Sequence, residues 1–272
     1  YALVSAGHDR LPYCIDRDGP AVVRRTGGKL APVHEFGGGG EERPAWLRAR
    51  ELRDDGTLTD RLFNPWTVAK HLEGAYSVAV PAPGWVECVT LDIDAHAPSG
   101  ASRAEVAAAQ AQADRVLGDV WAALACDATR RPIVQRTPRG GYHVTFPLTR
   151  DGYREGAQRE QAWPAAFAAG WFARHLEQAG LELAPGVLEV FPSGRALRVP
   201  CGRGMRLLQV TWPDSPESLG VVVCPGTVRY QTRADGGVRV VRHVAAQART
   251  YIRQFQAQRR SIAEWLGRPE AK

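Results

Sequence analysis

Two carboxylates lie two residues apart in the apolar segment VECVTLDIDAH, residues 86–96. In a β-strand, residues i and i+2 point to the same face and lie roughly 6.5 Å apart, so we expect Asp92 and Asp94 to share a face. Two like charges beside a core repel each other and lose hydration, and a divalent cation removes that conflict. Oxygen ligands without cysteine or clustered histidine favour Mg²⁺ or Mn²⁺. The pair alone is also compatible with a helix-capping aspartate beside a solvated one.

A histidine follows a glycine turn in the segment GGYHV, residues 140–144. Gly140 and Gly141 permit tight backbone geometry and close approach by a ligand. Strand alternation predicts that His143 lies on the polar face, away from its apolar neighbours, and Arg136 and Arg139 are close in sequence. This combination is typical of a phosphate-binding group, although a lone histidine is often a structural hydrogen-bond donor.

A third acidic strand is predicted in LEVFPSGRALRVP, residues 188–200. Glu189 alternates with Leu188 and Val190, so its carboxylate projects from an otherwise apolar strand, and Arg195 and Arg198 follow within nine residues. A surface strand with a solvated acid gives the same pattern. His96 follows the aspartate pair, and we interpret it as a supporting or structural residue.

The elements between these segments indicate an α+β fold. Ser102 and Glu105 form a capping box before a helix, and a hairpin is predicted to turn at residues 138–141. Further predictions are helices over 64–74, within 155–180 and over 244–266, a short strand within 186–194, strands near 207–211 and 221–223, and a hairpin turning at 235–237. The first 45 residues are predicted to be irregular. Strand, helix, hairpin, helix and strand in that order favour a mixed or antiparallel sheet.

The charge of the chain is concentrated at one end. The 272 residues are 44% hydrophobic, enough for a core, and carry a net charge of +6. Residues 239–272 contain seven arginines and one lysine but only two glutamates, so this segment accounts for the excess of positive charge. Arginine suits phosphate recognition, yet a solvated basic face or codon bias explains the composition too.

Five dispersed cysteines without a C-x-x-C pair indicate free thiols, and the lack of a long apolar run predicts no membrane span and a cytoplasmic protein.

Taken in order, the three acidic or histidine-bearing segments resemble those of the archaeo-eukaryotic primase superfamily, and more closely the primase-polymerases of plasmids, phages, integrated elements and CRISPR loci. That family pattern is an apolar strand with D-x-D or D-x-E, an x-x-H strand after a glycine-rich turn, and an apolar-acid-apolar strand. Asp92 with Asp94, His143 and Glu189 match it, within about residues 65–200. The family often has a small hydroxyl residue two before the histidine; Gly141 stands there in this chain, where a backbone N–H can replace the contact.

The resemblance implies an archaeo-eukaryotic primase fold: a catalytic core like the RNA-recognition fold, with a mixed or antiparallel sheet, beside an N-terminal α/β lobe. We place the lobe at residues 1–85, the core at 86–240 and a basic C-terminal helix at 241–272. The resemblance also implies template-directed nucleotidyl transfer on single-stranded DNA, with dNTP or NTP as substrate. Asp92, Asp94 and Glu189 would be the catalytic residues and hold two Mg²⁺ or Mn²⁺ ions.

Other residues take supporting roles in this prediction. The incoming nucleotide would be bound by His143, Arg198, Arg136 and Gly141. Nucleic acid would be bound by Arg139, Arg195, Arg249 and Arg253, and a helicase or another replication protein is a candidate partner.

Two other classes of function also fit the residues. A metal-dependent nuclease would use the same acids on a phosphodiester, but it would need no nucleoside triphosphate. A non-catalytic module resembling the RNA-recognition fold would bind nucleic acid through the basic tail, without using the acids. It should expose aromatic residues on its sheet, whereas Tyr142 and Phe146 are predicted on the face opposite His143.

Overall fold

The computed structural model describes residues 13–16, 22–26, 29–32, 46–62, 65–72, 74–81, 84–98, 100–124, 126, 130–149, 162–192, 196–211, 220–223, 230–232, 238–240 and 243–266. The helices are α1 (Pro65–Leu72), α2 (Arg103–Ala123), α3 (Ala165–Gln178), α4 (His243–Ala257) and α5 (Ile262–Leu266). The strands are β1 (Cys14–Asp16), β2 (Val22–Thr26), β3 (Lys29–Pro32), β4 (Trp46–Arg48), β5 (Arg50–Leu52), β6 (Leu58–Asp60), β7 (Val78–Pro81), β8 (Trp85–Val86), β9 (Cys88–Ile93), β10 (Ile133–Arg136), β11 (Tyr142–Pro147), β12 (Trp163–Pro164), β13 (Leu188–Phe191), β14 (Ala196–Arg198), β15 (Arg206–Thr211), β16 (Gly220–Val223), β17 (Tyr230–Thr232) and β18 (Val238–Val240).

The largest sheet has six strands in the order β13-β9-β11-β10-β15-β16, and every neighbouring pair is antiparallel. Its first four strands in space come from the segment β9-α2-β10-β11-β12-α3-β13, in which the short strand β12 pairs with β8 outside this sheet. The hairpin predicted between β10 and β11 is confirmed, with Gly140 N–H donating to the Thr137 carbonyl at 3.0 Å. The predicted α+β class with an antiparallel sheet is therefore confirmed.

Helices α2 and α3 cover one face of this sheet. The capping box at Ser102 and Glu105 begins α2, as the sequence predicts. Burial is confined to the second half of α2, and Val106 is 50% exposed. The main core joins both helices to the alternate residues of the sheet, and its largest members include Trp121, Phe146, Phe172 and Leu91. The other face carries polar side chains on β9, β11 and β13, while Ile133 and Leu207 on β10 and β15 pack there against Tyr251 and Phe255 of α4.

A second antiparallel sheet has the order β14-β7-β1-β4. Three of its strands come from residues 14–81, while β14 arrives from beyond β13. Buried His71 supports this junction, since its Nε2 lies 2.9 Å from the Val199 carbonyl and its Nδ1 accepts from the Val78 N–H at 3.0 Å. Burial lowers the pKa of His71 to about 4, so the ring is neutral at pH 7 and its Nε2–H donates to Val199.

The N-terminal region differs from its prediction. The first 45 residues contain β1, β2 and β3, so the expectation of irregular structure is wrong. Short strands among glycines and arginines give weak alternation, and their pairing with residues 46–60 is not visible in the local sequence.

The C-terminal region also differs. One helix was predicted over 244–266, whereas α4 ends at Ala257 and α5 begins at Ile262. Between them Arg260 bridges to Leu148, and Ser261 forms a capping box with Glu264, whose backbone N–H donates to Ser261 Oγ at 3.1 Å. Backbone pairing with the end of β11 interrupts the helix, so residues 241–272 are not one basic helix.

No helix in the described ranges combines the length and the apolar character needed to cross a membrane. The described cysteines, Cys14, Cys88, Cys126 and Cys201, are free thiols, as predicted, and Cys224 lies outside the described residues. The lobe boundaries at 85 and 240 remain predictions, although β14 shows that residues 196–198 extend the sheet formed by the N-terminal strands.

Candidate active site

Four polar side chains form a row across four neighbouring strands of the large sheet. Asp92 on β9 pairs with Glu189 on β13 at one side and with His143 on β11 at the other, and His143 pairs in turn with Gln135 on β10. Directly opposed residues of antiparallel strands project to the same face, so these side chains share the face that α2 and α3 leave open. Residues separated by about 100 positions in sequence thus become neighbours.

Within this row, His143 contacts Asp92. Nε2 of His143 lies 3.3 Å from Oδ1 of Asp92, and the histidine side chain is only 7% exposed against 31% for the aspartate. The row therefore has a buried histidine behind a carboxylate that remains open to solvent.

Asp94, which directly follows β9, belongs to the same electrostatic group. Burial, followed by the nearby charge of Asp92, raises the pKa of Asp94; Glu189 acts in the same direction, whereas His96 and His143 lower the pKa. Three carboxylates therefore influence one another at the end of β9, which is the conflict predicted from the D-x-D spacing.

His96 contacts Asp94 more closely than the sequence suggested. Its Nε2 lies 3.0 Å from Asp94 Oδ1, and its Nδ1 lies 3.4 Å from Nη1 of Arg139 at the tip of the β10–β11 hairpin. The D-x-H spacing that continues the alternation of Asp92 and Asp94 was the available signal. Gln135 was missed altogether, and its position in the row follows only from strand register.

The local backbone geometry near the site requires glycine at two positions, Gly141 and Gly186. A Cβ on Gly141 would lie 2.2 Å from the Ile93 carbonyl and 3.2 Å from the Asp94 Cα, so a side chain there would push away the strand end that carries Asp94. Gly186 has a φ of +78° in the turn before β13, and its N–H donates to Glu189 Oε1 at 3.1 Å. The close approach explains glycine at position 141 and the positive φ explains it at position 186, whereas a nucleotide contact by Gly141 remains a prediction.

A pocket of about 520 Å³, its open mouth included, adjoins the row. His143 and Arg198 both line it, so the structure brings together these two predicted nucleotide-binding residues from different sheets. The pocket floor follows the polar face away from Asp92, with Thr90 and Thr145 hydrogen-bonded to each other at 3.1 Å. Further lining residues are Val80, Val86, Glu87, Cys88, Phe191, Leu197, Val199, Pro200 and Tyr251.

The structure does not bring Arg136 to this pocket. Arg136 is the cross-strand partner of Tyr142, whose side chain lies in the core beneath α2 and contacts Asp114. Because partners share a face, Arg136 lies on the side of the sheet opposite His143, and sequence proximity alone had suggested its role in nucleotide binding.

The remaining predicted arginines are placed in different ways. Arg249 and Arg253 are exposed on α4, the helix whose buried Tyr251 borders the pocket. Arg259, which follows α4 and was not among the predicted residues, is turned inward, and its Nε donates to the Leu148 carbonyl at 3.2 Å. Arg195 lies outside the described residues.

The donor chemistry fits a hard divalent cation, because the site offers Asp92, Asp94 and Glu189 as oxygen ligands and burial with mutual repulsion raises the pKa of Asp94. Within the described ranges, no group of three or more His, Cys, Asp and Glu side chains is already arranged to hold a metal ion. Asp92 and Asp94 each contact a histidine through Oδ1, so a shared ion would be bound by Asp94 through Oδ2 and by Asp92 after its carboxylate has turned from His143.

No protein-family model matches this chain, and no curated protein shows significant sequence similarity to it.

Proposed function

We propose that this protein is a primase-polymerase of the archaeo-eukaryotic primase type, which transfers nucleotides onto a growing strand on a single-stranded DNA template. The observation that carries the proposal is the register Glu189–Asp92–His143 across three adjacent strands, with Asp94 next to it. The three motifs that resemble the family in sequence thus meet on one face of one sheet.

The arrangement of the sheet supports the proposal. In chain order the four strands are β9, β10, β11 and β13. They lie in the sheet as fourth, first, third and second, which is the strand order of the RNA-recognition fold. A second sheet made from N-terminal strands and β14 lies across the pocket, in agreement with a cleft between two lobes. Membership of the superfamily remains part of the proposal.

In this mechanism Asp92, Asp94 and Glu189 would hold two divalent ions, and bound ions would supply activation of the 3′-hydroxyl and neutralisation of the triphosphate charge. The three carboxylates provide the negative charge that such ions require. His143 donates from Nε2 to a phosphate oxygen once Asp92 turns away from it, and Arg198 contributes fixed positive charge from the other wall of the pocket.

The first experiment is product analysis on circular single-stranded DNA with labelled dNTPs and NTPs, Mn²⁺ or Mg²⁺, and no primer. Wild type is compared with the double variant Asp92→Asn/Asp94→Asn and with Asp119→Asn, which removes an exposed carboxylate on α2. New oligonucleotides and released pyrophosphate from wild type and Asp119→Asn, but not from the double variant, are expected.

Other outcomes assign other functions. Extension of an annealed primer without unprimed synthesis would keep the polymerase and remove the priming step. Cutting of the template that needs Asp92 but no nucleoside triphosphate would establish a nuclease. DNA binding by all three proteins with no reaction would leave only a binding module.

A further inference from the structure

The hydrogen-bonding chain at His96 has a definite direction. Arginine nitrogens are donors only, so the contact from Arg139 Nη1 makes His96 Nδ1 an acceptor. The single ring proton then lies on Nε2, 3.0 Å from Asp94 Oδ1, and donates to it. The order of donors is therefore Arg139 to His96 to Asp94.

Packing of the hairpin tip places the first member of this chain. Gly140 has a φ of +98°, and a Cβ there would lie 2.3 Å from Gln110 Oε1 on α2, while Gly141 lies against the backbone of residues 93–95. The close approach of Gly141 to that backbone places the hairpin tip, which carries Arg139, beside the end of β9. The arrangement is thus built by the backbone and does not depend on His96.

His96 itself contributes little to packing. Its side chain is 45% exposed, whereas the Asp94 side chain that it contacts is 23% exposed. Because the ring is half-exposed and both of its nitrogens form polar contacts, its role is polar. It contacts Asp94, the carboxylate whose pKa is raised by burial and by the charges of Asp92 and Glu189. Donation to Oδ1 fixes the orientation of the carboxylate and leaves Oδ2 as the oxygen that can face Asp92.

We propose that His96 is a positioning residue for Asp94: held by Arg139, its Nε2–H orients the Asp94 carboxylate for a divalent cation. This inference rests on the proposed function for the identity of the ion. Neighbours that orient metal ligands in this way typically change metal affinity by about 10- to 100-fold when they are removed.

The metal-free test is a long-range ¹H–¹⁵N NMR spectrum of the imidazole rings at pH 8, with His96 assigned by comparison with His96→Gln. We expect a protonated Nε2 and an unprotonated Nδ1, and Arg139→Gln should shift the Nδ1 resonance. A proton on Nδ1 would overturn the inference without any reference to catalysis.

The metal test is Mn²⁺ affinity by calorimetry for wild type, His96→Ala, His96→Gln and His175→Ala. The glutamine keeps an amide donor at the reach of Nε2, and His175 contacts a carbonyl on the helical side of the sheet, away from the site. We expect about 10-fold or greater weakening for His96→Ala, near wild-type affinity for the other two, and unchanged melting temperatures.

Equal Mn²⁺ affinity of wild type and His96→Ala would contradict the positioning role. So would an equal loss of Mn²⁺ affinity in His96→Ala and His96→Gln. Wild type that binds no Mn²⁺ would overturn the inference together with the metal part of the proposed function. The expected affinities without nucleotide incorporation would uphold the inference and overturn the proposed function, so the two failures can be told apart.

Discussion

Glu189 and Asp92 are direct cross-strand partners in the antiparallel pair of β13 and β9. Their carboxylates reach one face from positions almost 100 residues apart, and a shared divalent ion would require both. Glu189→Gln should lower nucleotide incorporation by at least about 100-fold, because the loss of one charged ligand weakens stabilisation of the transferring phosphate by roughly 3 kcal/mol. Primer-extension rates test this, with Glu182→Gln, exposed before β13, as the matched control. Equal loss in both variants would show a general effect of charge.

Gly141 makes the closest backbone approach near the site. Gly141→Ala would place a Cβ 2.2 Å from the Ile93 carbonyl, and we expect about 2 kcal/mol of lost stability from this overpacking. Gly170→Ala in α3 meets nothing within 4 Å and should instead stabilise by about 0.5–1 kcal/mol. Urea unfolding of the two variants distinguishes them, and a Gly141→Ala protein as stable as wild type would contradict the packing account.

His71 makes stability depend on pH. Its folded-state pKa of about 4 lies below the ordinary histidine value of 6.5, so its contribution to stability is fully present above pH 6.5 and is lost as the pH falls toward 4. Between pH 7 and pH 5 the free energy of unfolding should fall by about 2 kcal/mol more in wild type than in His71→Gln. Urea titrations at the two pH values measure the difference. Parallel curves for the two proteins would show that His71 is not the source.

Asp94 should weaken the metal-free fold near neutral pH. Burial and the neighbouring carboxylates raise its pKa, so stability from this group is present at low pH and is lost as the pH rises through the folded-state pKa. Asp94→Asn keeps an acceptor for His96 and removes the charge, and its melting temperature without metal should rise by a few degrees. Added Mn²⁺ should stabilise wild type only. A melting temperature that falls would contradict the repulsion argument, and Asp119→Asn controls for net charge.

Arg249 and Arg253 lie on the exposed side of α4. If both contact phosphates, the double change to glutamine should reduce the slope of log affinity for single-stranded DNA against log salt by about 1.4. The control Arg103→Gln/Arg115→Gln removes the same charge from exposed positions on α2. Fluorescence anisotropy across a salt series gives the slopes, and equal changes in both pairs would indicate a solvated basic face.

Local chemistry was enough to predict much of the site. Alternation predicted the faces of Asp92, His143 and Glu189, and the capping box and glycine turn predicted where α2 and the hairpin begin. The prediction that Arg136 binds the nucleotide was wrong because it rested on the short sequence distance to His143, whereas strand pairing in the hairpin puts Arg136 on the opposite face of the sheet. The break before α5 was missed because pairing between Arg260 and Leu148 is a tertiary contact.

The strand β14 has a consequence for dividing this chain into parts. Val80 pairs with Leu197, and the Val199 N–H donates to the Val78 carbonyl at 2.8 Å. A fragment that ends before residue 196 would leave β7 as a bare sheet edge, open to pairing with a second molecule. The second sheet is thus completed by a strand that follows β9, β10, β11 and β13 of the larger sheet in the chain. The two sheets are therefore expected to denature as one cooperative unit, and a separately expressed N-terminal fragment should self-associate until a peptide spanning residues 196–199 is supplied.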